Sequence, residues 1–153
     1  MNLSAYIRQE QILIVEGAVD QSDLLHQLGD VLVRTGSVTP AYIEAVCERE
    51  RTFPTGLLTG DVNVAIPHAD PQHVTKPAVA LGVVKESVPF GNMADPEMKI
   101  PVQVVFLLAP DKSERQLALL EQVMNLIQDQ EQMKAIMEAQ EAAGVWRVLS
   151  RNG

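Results

Sequence analysis

Two kinds of apolar pattern divide this chain: helical spacing in its first and last thirds, and short continuous β-branched runs in its middle. Gln11-Ile12-Leu13-Ile14-Val15 predicts a first strand, ended by Glu16-Gly17. Asp20 then caps a helix whose inward face is Leu24, Leu25, Leu28, Val31 and Leu32, with Gly36 as its stop. Thr39-Pro40 starts a second helix, because proline at the first helical position sacrifices no hydrogen bond. That helix turns Ile43, Val46 and Cys47 inward, exposes Glu48-Arg49-Glu50-Arg51 and ends before Pro54. Phe53-Pro54-Thr55-Gly56 and Gly60-Asp61 read as turns.

Val62 to Ile66, Ala78 to Val84 and Val102 to Ala109 are aliphatic runs of the kind found in strands covered on both faces. Pro89-Phe90-Gly91-Asn92 and Ala94-Asp95-Pro96 break this region into loops, with room for a short edge strand. Ser113-Glu114-Arg115-Gln116 fits a capping box. Leu117, Leu120, Met124 and Ile127 follow at helical spacing, widened by Leu119 and Val123. A helix with Met133, Ile136 and Met137 comes next, then a short one with Val145, Trp146, Val148 and Leu149. Helices, strands and helices around one sheet predict a single α/β domain over residues 1–153. The expected architecture is an α/β/α sandwich, a central mixed β-sheet flanked by helices.

Composition narrows the class. At 153 residues and 46% hydrophobic, the chain can bury a real core. No apolar run approaches the roughly 18 residues of a membrane span, so no membrane insertion is expected. Met1 to Tyr6 lacks the basic start and apolar block of a signal peptide. The single cysteine, Cys47, suits a reducing compartment, and a cytoplasmic protein is expected. A formal net charge of −8 argues against nucleic acid as a partner.

The chemistry concentrates on one residue. Val62-Asn63-Val64-Ala65-Ile66 runs into Pro67 and delivers His68 at its exit. Proline fixes its own backbone and holds its predecessor extended, so the imidazole projects from a stiff position. It is open to use as base, metal ligand or nucleophile. His26 reads as a partly exposed helix residue, and His73 as a loop residue close enough to line the same mouth. His68, Asp70 and His73 lack a zinc-type spacing and a fourth ligand, so no metal is expected. There is no Gly-x-Ser-x-Gly elbow, phosphate-binding glycine loop or dinucleotide fingerprint, and no cofactor is expected. One prominent histidine without a cofactor site suits a phosphoryl carrier, in which a neutral imidazole nitrogen attacks phosphorus. Such a site needs an acceptor for the other ring nitrogen and a guanidinium or amides for the phosphoryl oxygens. Arg49 and Arg51 are candidates for the guanidinium, although spacing alone favours a solvated Glu/Arg helix face.

Glu48-Arg49-Glu50, Phe53-Pro54-Thr55-Gly56 and Val64-Ala65-Ile66-Pro67-His68-Ala69, in this order, resemble the enzyme IIA domains of the fructose/mannitol type in the bacterial sugar phosphotransferase system. Arginine, turn and Pro-His fall within twenty residues, and the order of elements is similar over nearly the whole chain. The resemblance implies that His68 accepts a phosphoryl group from the phosphocarrier HPr and passes it to an enzyme IIB, with a membrane IIC completing the system. It also implies that Arg49 stabilises the phosphoryl oxygens, with Thr55 and Pro67 as supporting residues. Many members carry a second histidine where this chain has Gln116, which is also the glutamine of the Ser113 capping box. Arg115, next to it, is a substitute positive group. Gln116 and the Phe-Pro-Thr-Gly turn look most like the galactitol branch. The alternative is a regulatory phosphohistidine protein of the nitrogen type, signalling through protein binding. A domain in which His68 only packs is the third reading.

Overall fold

The computed structural model describes residues 3–151; Met1, Asn2, Asn152 and Gly153, the outermost part of the expected domain, lie outside the described residues. The strands are β1 (Ile12–Val15), β2 (Gly56–Leu57), β3 (Val64–Ala65), β4 (Ala78–Gly91) and β5 (Lys99–Ala109). The helices are α1 (Gln21–Arg34), α2 (Ala41–Thr52), α3 (Ser113–Ile127), α4 (Gln130–Glu138) and α5 (Ala142–Ser150). The strands form one sheet in the order β1-β4-β5-β3-β2. It is mixed: β1 with β4 and β3 with β5 are parallel, while β4 with β5 and β2 with β3 are antiparallel.

Side chains alternate across a strand, and here each face finds its own helical layer. Val79, Leu81 and Val83 of β4 join Val104, Phe106 and Leu108 of β5 under α3, α4 and α5. Ala78 and Ala80 join Val105, Leu107 and Ala109 under α1 and α2. The α/β/α sandwich is therefore realised, with the sheet as its middle layer. The Asp20 carboxylate accepts the Asp23 N–H at 2.8 Å to start α1, and Gly36 follows the helix at φ 76°. Between these ends, Gly29 lets α2 approach closely, since a Cβ there would lie 2.6 Å from Ile43 Cγ1. This approach seats α2, and with it Arg49 and Glu50, against the sheet.

Four expectations need correction. The strand at Val62 to Ile66 narrows to two residues, because side chains take over its edges: Asn63 N–H donates to Gln103 Oε1, and Ile66 N–H to Thr55 Oγ1. Pro89 to Gly91 is strand rather than loop. β4 continues past an irregularity between Val83 and Val88, and Pro89, Phe90 and Gly91 pair with Pro101, Ile100 and Lys99. Both prolines are exposed, where a missing N–H leaves no buried acceptor unsatisfied. The arm curls back to the start of β2, since Met93 N–H donates to the Gly56 carbonyl at 2.8 Å.

The third concerns the phase of α3. Leu119, Val123, Leu126 and Ile127 are buried at i, i+4, i+7 and i+8, while Leu117 is 62% exposed and Met124 is exposed. The wide apolar stripe allowed either phase, and packing on the sheet selected the one that buries the second set. The capping box is the fourth: Lys112 is the cap residue, no side chain bonds there, and Ser113 lies inside the helix. α4 and α5 bury Met133, Ile136, Val145, Val148 and Leu149 of their expected sets, with Met137 and Trp146 half-buried against the same core.

Candidate functional site

His68 leaves β3 at the end of the sheet where β5 finishes. The segment around it is gripped at three backbone points. Thr55 Oγ1 accepts the Ile66 N–H at 3.1 Å, Leu108 N–H donates to the Pro67 carbonyl at 3.0 Å, and Ala69 N–H donates to Tyr42 Oη at 3.0 Å. Tyr42 Oη in turn donates to the Leu108 carbonyl at 2.7 Å. Tyr42 is fully buried, and burial raises its phenol pKa, so it serves as a neutral hydroxyl. Tyr42→Phe leaves the Ala69 N–H and the Leu108 carbonyl without this partner. It should cost about 2 kcal/mol in a denaturant titration. An unchanged midpoint would show that this hydroxyl holds nothing.

The imidazole is held as firmly as its backbone. His68 is 8% exposed, and its Nδ1 lies 2.9 Å from the Ile66 carbonyl. A carbonyl only accepts, so Nδ1 carries the hydrogen and Nε2 keeps a free lone pair. Burial lowers the His68 pKa, and the Arg49 charge lowers it further against the opposing effect of the Ile66 bond. The ring is therefore neutral at pH 7. The depressed pKa also has a sign for stability. Below the ordinary 6.5 the unfolded state takes up a proton that the folded state refuses. Acidification from pH 7.5 to 5.5 should therefore destabilise the wild type more than His68→Gln in paired thermal melts, and the reverse order would contradict this burial effect.

Arg49 sits on the last turn of α2. It is half-buried, not part of a fully solvated face, and its guanidinium carbon stands 5.3 Å from the centroid of the Phe53 ring. This ring orients the guanidinium by a cation–π contact. Arg49 Nε is buried and has no hydrogen-bond partner, a donor left ready for an acceptor. Arg51, the other candidate, is exposed. An open cavity of about 280 Å³ lies beside Arg49, lined also by Glu48, Phe53, Ala69, Asp70 and His73. His73 thus lines the cavity beside Arg49, together with Ala69 and Asp70 that follow His68 in the chain. Among the described residues, no three His, Cys, Asp or Glu side chains gather into a group able to hold a metal.

Three further residues bear on the sequence reading. Glu50, expected on the solvated face, is 4% exposed. Its Oε2 accepts the Thr55 N–H at 2.8 Å and its Oε1 accepts the Thr55 hydroxyl at 2.9 Å. Burial pushes its pKa up to about 7, against the bonds from Thr55 and the charges of Lys99 and Arg49. The signal for its burial was helical phase, since Ile43, Val46, Cys47 and Glu50 fall on one stripe. Gln116 occupies the first turn of α3, half-buried, and its side chain makes no hydrogen bond among the described residues, so it is not joined to His68. Arg115, the positive group beside it, is half-buried and paired in the resting structure, its Nε donating to Asp111 Oδ1 at 3.0 Å. Away from the site, His26 bonds to Glu44 on the surface, and Cys47 is buried with its thiol pKa raised by burial.

Residues 5–152 match the family described as "Phosphoenolpyruvate-dependent sugar phosphotransferase system, EIIA 2". The chain is 31% identical over 102 residues to the galactitol-specific EIIA component of the phosphotransferase system in Escherichia coli K12, which covers 67% of each chain. The fold is that of the mannitol-specific cryptic phosphotransferase enzyme IIA from Escherichia coli, with a TM-score of 0.82 at 19% identity over 99% of each chain. It is also that of the IIA chain in a complex of mannitol enzyme IIA with phosphorylated enzyme IIB from Escherichia coli. There the TM-score is 0.79 at 22% identity, covering 95% of this chain and 97% of that one.

Proposed function

The chain belongs to the EIIA 2 family of the phosphoenolpyruvate-dependent sugar phosphotransferase system, whose members are phosphotransferases, and we propose on that premise that His68 is its phosphoryl-accepting residue. One observation carries the reading: a neutral imidazole whose Nδ1–H is engaged, so that Nε2 is bare, in the field of an arginine with an unpartnered buried Nε. Phospho-HPr is the donor. The Nε2 lone pair attacks phosphorus in line as the donor's P–N bond breaks and its electron pair returns to the donor imidazole. Nδ1 keeps its hydrogen, and the Ile66 carbonyl stabilises the charge that builds on the ring. Arg49 offsets the charge on the phosphoryl oxygens, and Pro67 and Thr55 hold the histidine in place. The step uses only these groups and the two proteins, without a cofactor.

The phosphoryl group then passes to an enzyme IIB, a partner suggested by the similar IIA that was solved in complex with one. A membrane IIC would complete the route. Among the described residues, no helix is long and apolar enough to cross a membrane, in keeping with a domain that works in the cytoplasm beside HPr. The similarity to a galactitol-specific relative supports galactitol or a related sugar as the end of the route. On this reading residues 1–153 act as one EIIA domain.

Incubation with enzyme I, HPr and phosphoenolpyruvate tests the proposal. The protein should gain one acid-labile phosphoryl group on the peptide holding His68, and a galactitol-type IIB should discharge it faster than a mannitol-type IIB. Absence of labelling overturns the role of His68. Discharge in the opposite order overturns the sugar assignment, and failure with every IIB favours the regulatory alternative.

A further inference from the structure

The proposed phosphoryl transfer leaves one buried charged group without a task. Glu50 lies on the otherwise apolar face of α2, where an ionisable side chain is costly unless its bonds are complete. A simple turn cap would need only the bond from the Thr55 N–H. Glu50 makes a second bond, to the Thr55 hydroxyl, and this one has a direction. In its ionised form Glu50 can only accept, so the hydroxyl hydrogen then points to Glu50. The lone pairs of Thr55 Oγ1 are then free for the Ile66 N–H at 3.1 Å. The Ile66 carbonyl, on the other side of the same Cα, receives the His68 Nδ1–H at 2.9 Å.

Resting on the reading of His68 as phosphoryl acceptor, we propose that Glu50 is a positioning residue for phosphoryl transfer: through Thr55 and the Ile66 backbone it fixes the His68 imidazole in the Nδ1–H tautomer. The donor order runs His68 to Ile66, and separately Ile66 to Thr55 to Glu50; the Ile66 N–H also reaches the Thr55 carbonyl, at the longer distance of 3.4 Å. The register of the imidazole is thus set by a charge that never touches it. Burial opposes ionisation of Glu50 and brings its pKa up to about 7. The two bonds from Thr55 and the charges of Lys99 and Arg49 favour the carboxylate, the form in which this linkage operates. Glutamine cannot replace it. With its oxygen towards the hydroxyl, its NH₂ confronts the Thr55 N–H; with its NH₂ towards the hydroxyl, the Thr55 O–H loses its acceptor.

The test reads the imidazole directly. Imidazole ¹⁵N shifts of unphosphorylated wild type should report Nδ1–H, while Glu50→Gln and Thr55→Val should mix in the Nε2–H tautomer. In the same variants the transfer kcat should fall about 10-fold or more with little change in KM for phospho-HPr, as expected when an attacking atom is misaligned. Thr55→Ser, which keeps the hydroxyl, should restore both signals. An Nε2–H tautomer in the wild type overturns the proposal whatever the variants do. So does a wild-type tautomer in folded Glu50→Gln and Thr55→Val, or a Thr55→Ser no better than Thr55→Val. A variant that only loosens the fold would lower the melting temperature without moving the tautomer. The NMR arm needs neither partner nor phosphate, so it judges this linkage even if His68 takes up no phosphoryl group.

Discussion

Replacing His68 by alanine should reduce phosphoryl uptake to background while the protein stays folded. The proposed chemistry has no substitute for the nucleophile. Among the other histidines, His26 is committed to Ser22 and Glu44 on the outer face of α1, and His73 stands on the cavity rim. Neither has its free nitrogen set by a buried backbone acceptor beside Arg49. The structural loss is modest: one ring and one hydrogen bond, about 1–2 kcal/mol. The three grips on the surrounding backbone use Thr55, Leu108 and Tyr42 and do not involve the imidazole. Labelling with phosphoenolpyruvate, enzyme I and HPr, alongside a circular dichroism spectrum, checks both halves. Uptake that survives in a folded variant would assign the phosphoryl group to another residue, with His73 the first to examine.

Arg49→Ala should slow transfer about 10²–10³-fold, the range for losing an oriented donor to a developing charge. Its effect on stability should be small, for a reason particular to this site. The guanidinium contributes a cation–π contact worth about 0.5–1 kcal/mol, while its buried Nε has no partner and is a cost in the resting state. Removing both leaves a near balance. Arg49→Lys keeps the charge but not the planar fork, and should fall between alanine and wild type. Single-turnover transfer from phospho-HPr, with thermal melts of the same samples, measures both. A wild-type rate in Arg49→Ala, or an unfolded variant, would remove Arg49 from the role proposed for it.

Most of the fold was legible because its signals were local. Asp20, the Leu24-to-Leu32 stripe and Gly36 each act within one helix, and all three behave as their side chains dictate. What was missed depended on partners distant in sequence. Nothing within Pro89-Phe90-Gly91 announces that Lys99 to Pro101 will lie opposite, and only that pairing makes the segment strand. α3 offered two overlapping stripes, and the choice between them belongs to the sheet. At the site, the Pro67-His68 step was visible because proline imposes its geometry on its immediate neighbours. Thr55 was legible only as a supporting residue. Its hydroxyl bonds a segment eleven residues further on, and Glu50 bonds Thr55 in turn, contacts that no spacing rule encodes. Gln116 is the opposite case: its position in sequence drew attention, yet no hydrogen bond joins it to His68 among the described residues.

The acceptor for the His68 Nδ1–H is a main-chain oxygen, and this bears on how the site can change over generations. No codon change at position 66 deletes a carbonyl, so the side chain of Ile66 can drift among apolar types without unlocking the ring. The burden of inheritance moves to the residues that hold that carbonyl in place. Pro67 is foremost, since losing its ring would free a torsion that helps to aim the next residue. An apolar exchange at the residue that bonds the histidine should thus disturb the ring less than loss of the neighbouring proline, which makes no bond to it.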